Sequence, residues 1–100
     1  MTKETEQTIA AISEKLLPIL TRYGATRAGL FGSLVRGEAT ERSDVDLLVE
    51  LPRSGLSLLD VAHINNELED ALGRKVDLVE YEAIKPRIRE RVLAEEIRIL

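Results

Sequence analysis

The stretch from Gly29 to Glu50, GLFGSLVRGEATERSDVDLLVE, constrains what this chain can become more than any other. It reads as an apolar strand, a Gly-Ser turn, a polar spacer and a second apolar strand that opens on two aspartates. Ser33 directly follows Gly32, ten residues separate Ser33 from Asp44, and Asp46 comes two later. Gly32 carries no Cβ, so the backbone can turn sharply there and a ligand can approach the main chain closely. Ser33 suits the N-cap of a short helix over 34–37, and a helix start presents unpaired N–H groups that fit a phosphate. Asp44 and Asp46 stand at i and i+2 on a strand, so both side chains leave one face, about 6.6 Å apart along the chain.

Two carboxylates that close are costly without a cation. At an effective dielectric of about 20, unit charges 4 Å apart repel by roughly 4 kcal/mol. Either one carboxylate stays protonated or a divalent metal neutralises the pair. Hard oxygen ligands, with no Cys and no His beside them, favour Mg²⁺ or Mn²⁺ over zinc. A phosphate cradle beside such a site points to nucleotide chemistry.

The pattern G-S-x10-D-x-D, with Arg36-Gly37 inside the spacer, resembles the DNA polymerase beta-like nucleotidyltransferase superfamily. More narrowly, the chain resembles the minimal nucleotidyltransferases, the antitoxin members of prokaryotic HEPN–MNT toxin–antitoxin pairs. The likeness spans about residues 5–97, and its informative residues fall in two blocks, LFGSLVRGEATERSDVDLLVE and GRKVDLVE.

Composition sets outer limits. One hundred residues make one domain with a single modest core. The absence of cysteine excludes disulfides and thiolate metal sites and suits a reducing cytoplasm. No apolar run approaches membrane-spanning length, and the polar start MTKETEQT is no signal peptide. A net charge of −4 opposes general nucleic-acid binding, and three aromatics, Tyr23, Phe31 and Tyr81, provide no stacking platform for bases. A polymerase-like use of the fold is therefore not expected.

Taken in order, residues 4–23 read as a helix striped by Ile9, Ile12, Leu16, Ile19 and Tyr23, with a kink or break expected at Pro18 and a stop at Gly24. Strands are expected over 26–31, 44–51 and 75–81. Val45, Leu47 and Val49 should face helices, while Asp44, Asp46 and Leu48 lie on the open face. A turn is expected over 52–55. Ser57 and Asp60 form a capping box for a second helix with Leu58, Val61, Ala62, Leu68 and Leu72 on its apolar side, ended by Gly73. His63 reads as an exposed or structural histidine, and Ser43 as the cap of the turn into the second strand. A last helix over 86–96 buries Ile88, Val92 and Leu93 with Ile84 and Ile97. Its Arg87, Arg89 and Arg91 alternate with Glu90, Glu95 and Glu96, first of all as a solvated ion-paired face, with phosphate or partner binding as the sharper reading. The apolar tail 97–100 should bury against a neighbouring element or another chain. Together these elements predict an α/β (α+β) two-layer fold around a small mixed sheet.

The resemblance implies more. Val76-Asp77-Leu78-Val79 matches the family segment that supplies a third metal-site carboxylate. Asp77 in a central strand would be costly unless paired or metal-bound, whereas at a strand edge it needs no such explanation. On the family's pattern, Asp44, Asp46 and Asp77 would hold two Mg²⁺ ions, and Asp77 would help activate an attacking hydroxyl. Gly32 and Ser33 would hold the β- and γ-phosphates of ATP. Arg36 has two readings: a contact to the triphosphate, or an ion pair with Glu38 or Glu41. The implied acceptor is a tyrosine of a HEPN ribonuclease toxin, bound as a partner and silenced by transferred AMP. Two alternatives stand beside this: silencing by occlusion alone, and a small-molecule nucleotidyltransferase working with a separate acceptor subunit.

Overall fold

The computed structural model describes residues 1–52 and 56–100, so most of the turn expected over 52–55 lies outside the described residues. Helix α1 (Lys3–Arg22) starts at Thr2, whose hydroxyl accepts from the Thr5 N–H at 3.1 Å. Pro18 does not break it. The proline is exposed, and so is Glu14, whose carbonyl loses its helical donor and can turn to water. On the opposite side, the fully buried Leu16 and Leu20 keep both halves seated on the sheet.

Strands β1 (Arg27–Phe31), β2 (Val45–Glu50), β3 (Val76–Glu80) and β4 (Ile97–Arg98) form one mixed sheet in the order β3-β2-β1-β4. β1 runs antiparallel to β2 and β4, and β2 runs parallel to β3. The parallel pair is joined through α2 (Leu58–Leu72), which begins with the expected Ser57–Asp60 capping box. Its buried stripe is not quite the expected one. Ile64 and Leu68 are fully buried, flanked by Val61 and Leu72, whereas Leu58 is 91% exposed and Ala62 faces outward. The 3.6-residue period explains Ala62, which stands 100° round the helix from Val61.

Strand alternation divides the core in two. Ala28, Leu30, Val45, Leu47, Val49 and Val76 point to the face covered by α1 and α2. Leu48 points the other way, and that face is not open as expected. Tyr81, Ile84 and Val92 close over Leu48, with Ile88 and Leu93 of α3 (Pro86–Glu95) packed around them. A short 3₁₀ turn over Tyr81–Ala83 links β3 to this helix.

The apolar tail stays within the chain. β4 adds an edge to β1, and Ala28 exchanges backbone hydrogen bonds with Ile99 and Leu100. Gly29 permits this path. A Cβ there would overlap the Glu96 carboxylate, which lies against β1 as the chain leaves α3.

Candidate active site

Register brings the carboxylates together. Asp46 pairs with Phe31 on one side and Asp77 on the other, so one row crosses three strands on the face that carries α3. α3 covers Leu48 but leaves this row at the rim: Asp46 is half-buried, and Asp44 and Asp77 are exposed. Asp44 stands just before β2. The strand order corrects the expected place of Asp77. β3 is an edge strand, so the cost of burying a charge does not apply to this residue. Its nearness to Asp46 comes from the parallel register alone.

The segments leading into these residues are pinned. The Arg74 guanidinium donates to the Ser43 carbonyl at 2.8 and 3.1 Å and to the Thr40 carbonyl at 3.1 Å. Ser43 Oγ accepts from the Thr40 N–H at 2.9 Å, which is the turn-capping role expected of it. The Val45 N–H donates to the Lys75 carbonyl, and the Val76 N–H to Glu69 Oε2, each at 2.9 Å. Arg74 and Glu69 were not anticipated from the sequence, because they act on backbone 31 and seven residues away.

Crowding shows in the electrostatics. Partial burial pushes the Asp46 carboxyl above the usual carboxylate range, and the charges of Asp77 and Asp44 push it further, against the opposing pull of Arg36. An all-oxygen donor set carrying uncompensated negative charge fits a hard divalent cation such as Mg²⁺. Among the described residues, no three His, Cys, Asp or Glu side chains already converge as a finished ligand set. The aspartates share an edge rather than form a cage.

Beside them runs the Gly-Ser turn, a 3₁₀ turn over Gly32–Leu34. Ser33 is not its N-cap as expected; Phe31 holds that position and no side chain caps it. The Ser33 hydroxyl makes no hydrogen bond among the described residues, while its carbonyl accepts from the Glu38 N–H at 2.9 Å. Gly32 is required twice. Its φ is +77°, and a Cβ would overlap Asp46 Oδ2 and lie 2.9 Å from Asp46 Cγ. Gly32→Val should therefore lower stability by about 1–3 kcal/mol through backbone strain alone, with the Asp46 carboxylate displaced as well. Ser33→Ala should stay within about 0.5 kcal/mol of the parent. Urea melts of the two variants check this, and equal midpoints would show that the turn tolerates a side chain.

Arg36 takes the ion-paired reading in this structure, with one partner foreseen and one not. Its Nε donates to Glu38 Oε1 at 2.6 Å and its Nη1 to Glu95 Oε1 at 2.9 Å; Glu41 is not involved. The hydrogen bonds to Glu38 and then Glu95 hold the guanidinium above its already high pKa. Glu95 Oε1 also accepts from the Gly32 N–H at 2.6 Å. Two of the glutamates expected on a solvated face of the last helix, Glu95 and Glu96, thus turn inward, while Glu90 stays exposed. Glu96 takes the Tyr81 hydroxyl and faces Arg27, which stacks on the Tyr81 ring at 4.1 Å. A signal was present: Glu95 and Glu96 stand at a helix C-terminus, where the dipole disfavours acids and partners are needed.

His63 is exposed on α2, across the sheet from the aspartates. A concavity of about 790 Å³ at the opposite end of β2, lined by residues such as Glu50, Leu51 and Val61, includes none of Asp44, Asp46, Asp77, Gly32, Ser33 and Arg36, though Glu80 and Glu82, weaker candidates in the sequence, do line it.

Comparison with known proteins agrees with this fold. The nucleotidyltransferase domain family matches residues 13–99. The protein adenylyltransferase MntA of Thermococcus cleftensis is 44% identical over 78 residues, 78% of each chain. A solved structure of a protein provisionally described as a minimal nucleotidyltransferase is 46% identical, with a TM-score of 0.76 over 91% of this chain and 92% of that one. An MNT antitoxin solved in complex with a tri-AMPylated HEPN toxin of Shewanella oneidensis shares the fold at 19% identity, with a TM-score of 0.69 over 91% of this chain and 71% of that one. With its glycine turn set against paired strand aspartates and the match running through nearly all of the sheet and helices, the chain belongs to the nucleotidyltransferase domain family.

Proposed function

We propose that this chain is a Mg²⁺-dependent antitoxin that transfers AMP from ATP to a tyrosine hydroxyl of a HEPN ribonuclease toxin, and thereby silences it in the cytoplasm. The observation that carries the reading is the row Asp46–Asp77, with Asp44 beside it, facing a turn whose Gly32 N–H already receives a carboxylate. The name of the Thermococcus relative and the Shewanella toxin–antitoxin complex support the substrate class and the partner. Among the described residues, no helix is long and apolar enough to cross a membrane.

In this reading Asp44, Asp46 and Asp77 hold the metal, which when bound stabilises the attacking and leaving oxygens of an in-line displacement. The Gly32 N–H, the free Ser33 hydroxyl and Arg36 receive the β- and γ-phosphates. The toxin hydroxyl forms a new bond to the α-phosphorus as the α–β phosphoanhydride bond breaks and pyrophosphate leaves. Asp77, exposed on the edge strand, is placed where a protein acceptor can reach it, and accepts the hydroxyl proton. The test is direct. Purified chain, its HEPN partner, Mg²⁺ and ATP are mixed, and the partner's mass and ribonuclease activity are followed. Gain of AMP with loss of ribonuclease activity is expected; ribonuclease loss with no change in mass would exclude transfer as the mechanism.

A further inference from the structure

Glu95 is the last residue of α3, and its carboxylate stands where the Gly32–Ser33 turn would receive an anion. One oxygen, Oε1, accepts from the Gly32 N–H at 2.6 Å and from Arg36 Nη1 at 2.9 Å. Both donors belong to the set assigned above to the triphosphate. An acid at a helix C-terminus lies against the helix dipole, so α3 itself does nothing to favour the charge of Glu95 there. Its placement depends on those two donors.

The neighbouring residue fixes the backbone. Glu96, with only 5% of its side chain exposed, takes the Tyr81 hydroxyl and lies 3.5 Å from Arg27 Nη2, in space left by the missing side chain of Gly29. The end of α3 is therefore anchored independently of Glu95, whose side chain is 19% exposed at the rim of the site. Release of Glu95 needs rotation about its own side-chain bonds and no movement of the helix. While it stays in place, it adds negative charge beside Asp46, where a polyanion has to enter.

We propose that Glu95 is a built-in competitor for the nucleotide: its carboxylate imitates a phosphate oxygen on Gly32 and Arg36, and triphosphate binding displaces it. This deepens the nucleotide reading above and rests on it. The apparent affinity for nucleotide is then lowered by the fraction of molecules in which Glu95 holds both donors. Once displaced, the carboxylate swings outward and leaves both donors to the triphosphate.

Calorimetric titration of inorganic triphosphate and of ATP, each with and without Mg²⁺, into the parent chain, Glu95→Ala and Glu95→Gln tests this. Thermal melts establish that each protein is folded, and Glu95→Gln, close in shape, serves if the alanine variant does not fold. Both ligands should bind the variants roughly tenfold to a hundredfold more tightly, the range one charge-assisted hydrogen bond spans. The glutamine variant should show the smaller gain, because its amide oxygen still accepts but carries no charge. The Gly32 amide resonance should shift in both variants, and in the parent on addition of triphosphate. Folded variants that bind as the parent does, or more weakly, overturn the competitor role and leave the nucleotide reading standing. Absence of triphosphate and ATP binding in all three proteins overturns both.

Discussion

With Asp44 and Asp46 both replaced by Asn, Mg²⁺ should no longer improve ATP binding at all. In the parent chain the two carboxylates face one edge beside Asp77, and Asp46 is already pushed above the usual carboxylate range by burial and by its acidic neighbours. A cation held by these carboxylates would offset that crowding and favour an anionic ligand, so calorimetry should show weak ATP binding without Mg²⁺ and much tighter binding with it. Removing the two ligands should cost more than the roughly 10–100-fold that loss of an outer-shell partner costs a metal site. Equal Mg²⁺ dependence in parent and double variant would sink the assignment of the metal site.

The fold should survive this change and, free of metal, gain from it. Because the folded-state pKa of Asp46 lies above its unfolded value, ionised Asp46 opposes folding above that pKa. Asp46→Asn alone should therefore raise the urea midpoint near neutral pH. The gain should fade as pH falls through the Asp46 pKa, where the parent carboxyl becomes neutral as well.

Asp77→Asn separates transfer from occlusion. The substitution keeps size and shape on an exposed edge position, so stability should stay within about 0.5 kcal/mol and the surface offered to a partner is nearly unchanged. It removes a ligand charge and the proposed acceptor of the hydroxyl proton. Positioned general bases alone contribute about 10²–10⁴-fold, so AMP transfer to the proposed HEPN partner should fall at least that far. Mass spectrometry of the partner should show AMP added by the parent chain and none by the variant, with ribonuclease activity intact in the variant mixture. A variant that still silences the partner, with no change in mass, would establish occlusion and overturn the transferase reading.

Much of this protein was legible in one dimension because the relevant physics is local. The turn, the spacer and the two aspartates lie within a short stretch whose spacing alone predicts neighbouring carboxylates where β2 begins. The Ser57–Asp60 capping box and the α1 stripe depend on residues three or four apart. The box stands as read, and the stripe does through Ile9, Ile12 and Leu16, after which Leu20 is fully buried and Ile19 and Tyr23 pack only partly buried beside it. Where local rules were the whole basis, details still failed, the α2 stripe at Leu58 and Ala62 among them. Pro18 left α1 unbroken because its ring faces solvent, and Ser33 ceded the cap to Phe31 because the turn begins one residue earlier.

Only the tertiary structure decided how distant charges meet. β3 could have been central or peripheral by composition; the crossover through α2 places it at an edge, and a register slip of one residue would have turned Asp77 to the other face. The Gly32–Glu95 contact spans 63 residues, and no periodicity in the sequence relates them. Sequence spacing determines which side chains share an element's face, since 3.6- and 2-residue periods are properties of a single helix or strand. Which faces then confront each other depends on strand order and register, set by burial of the whole core, and that is what brought Asp77 beside Asp46 and Glu95 to the Gly32 turn.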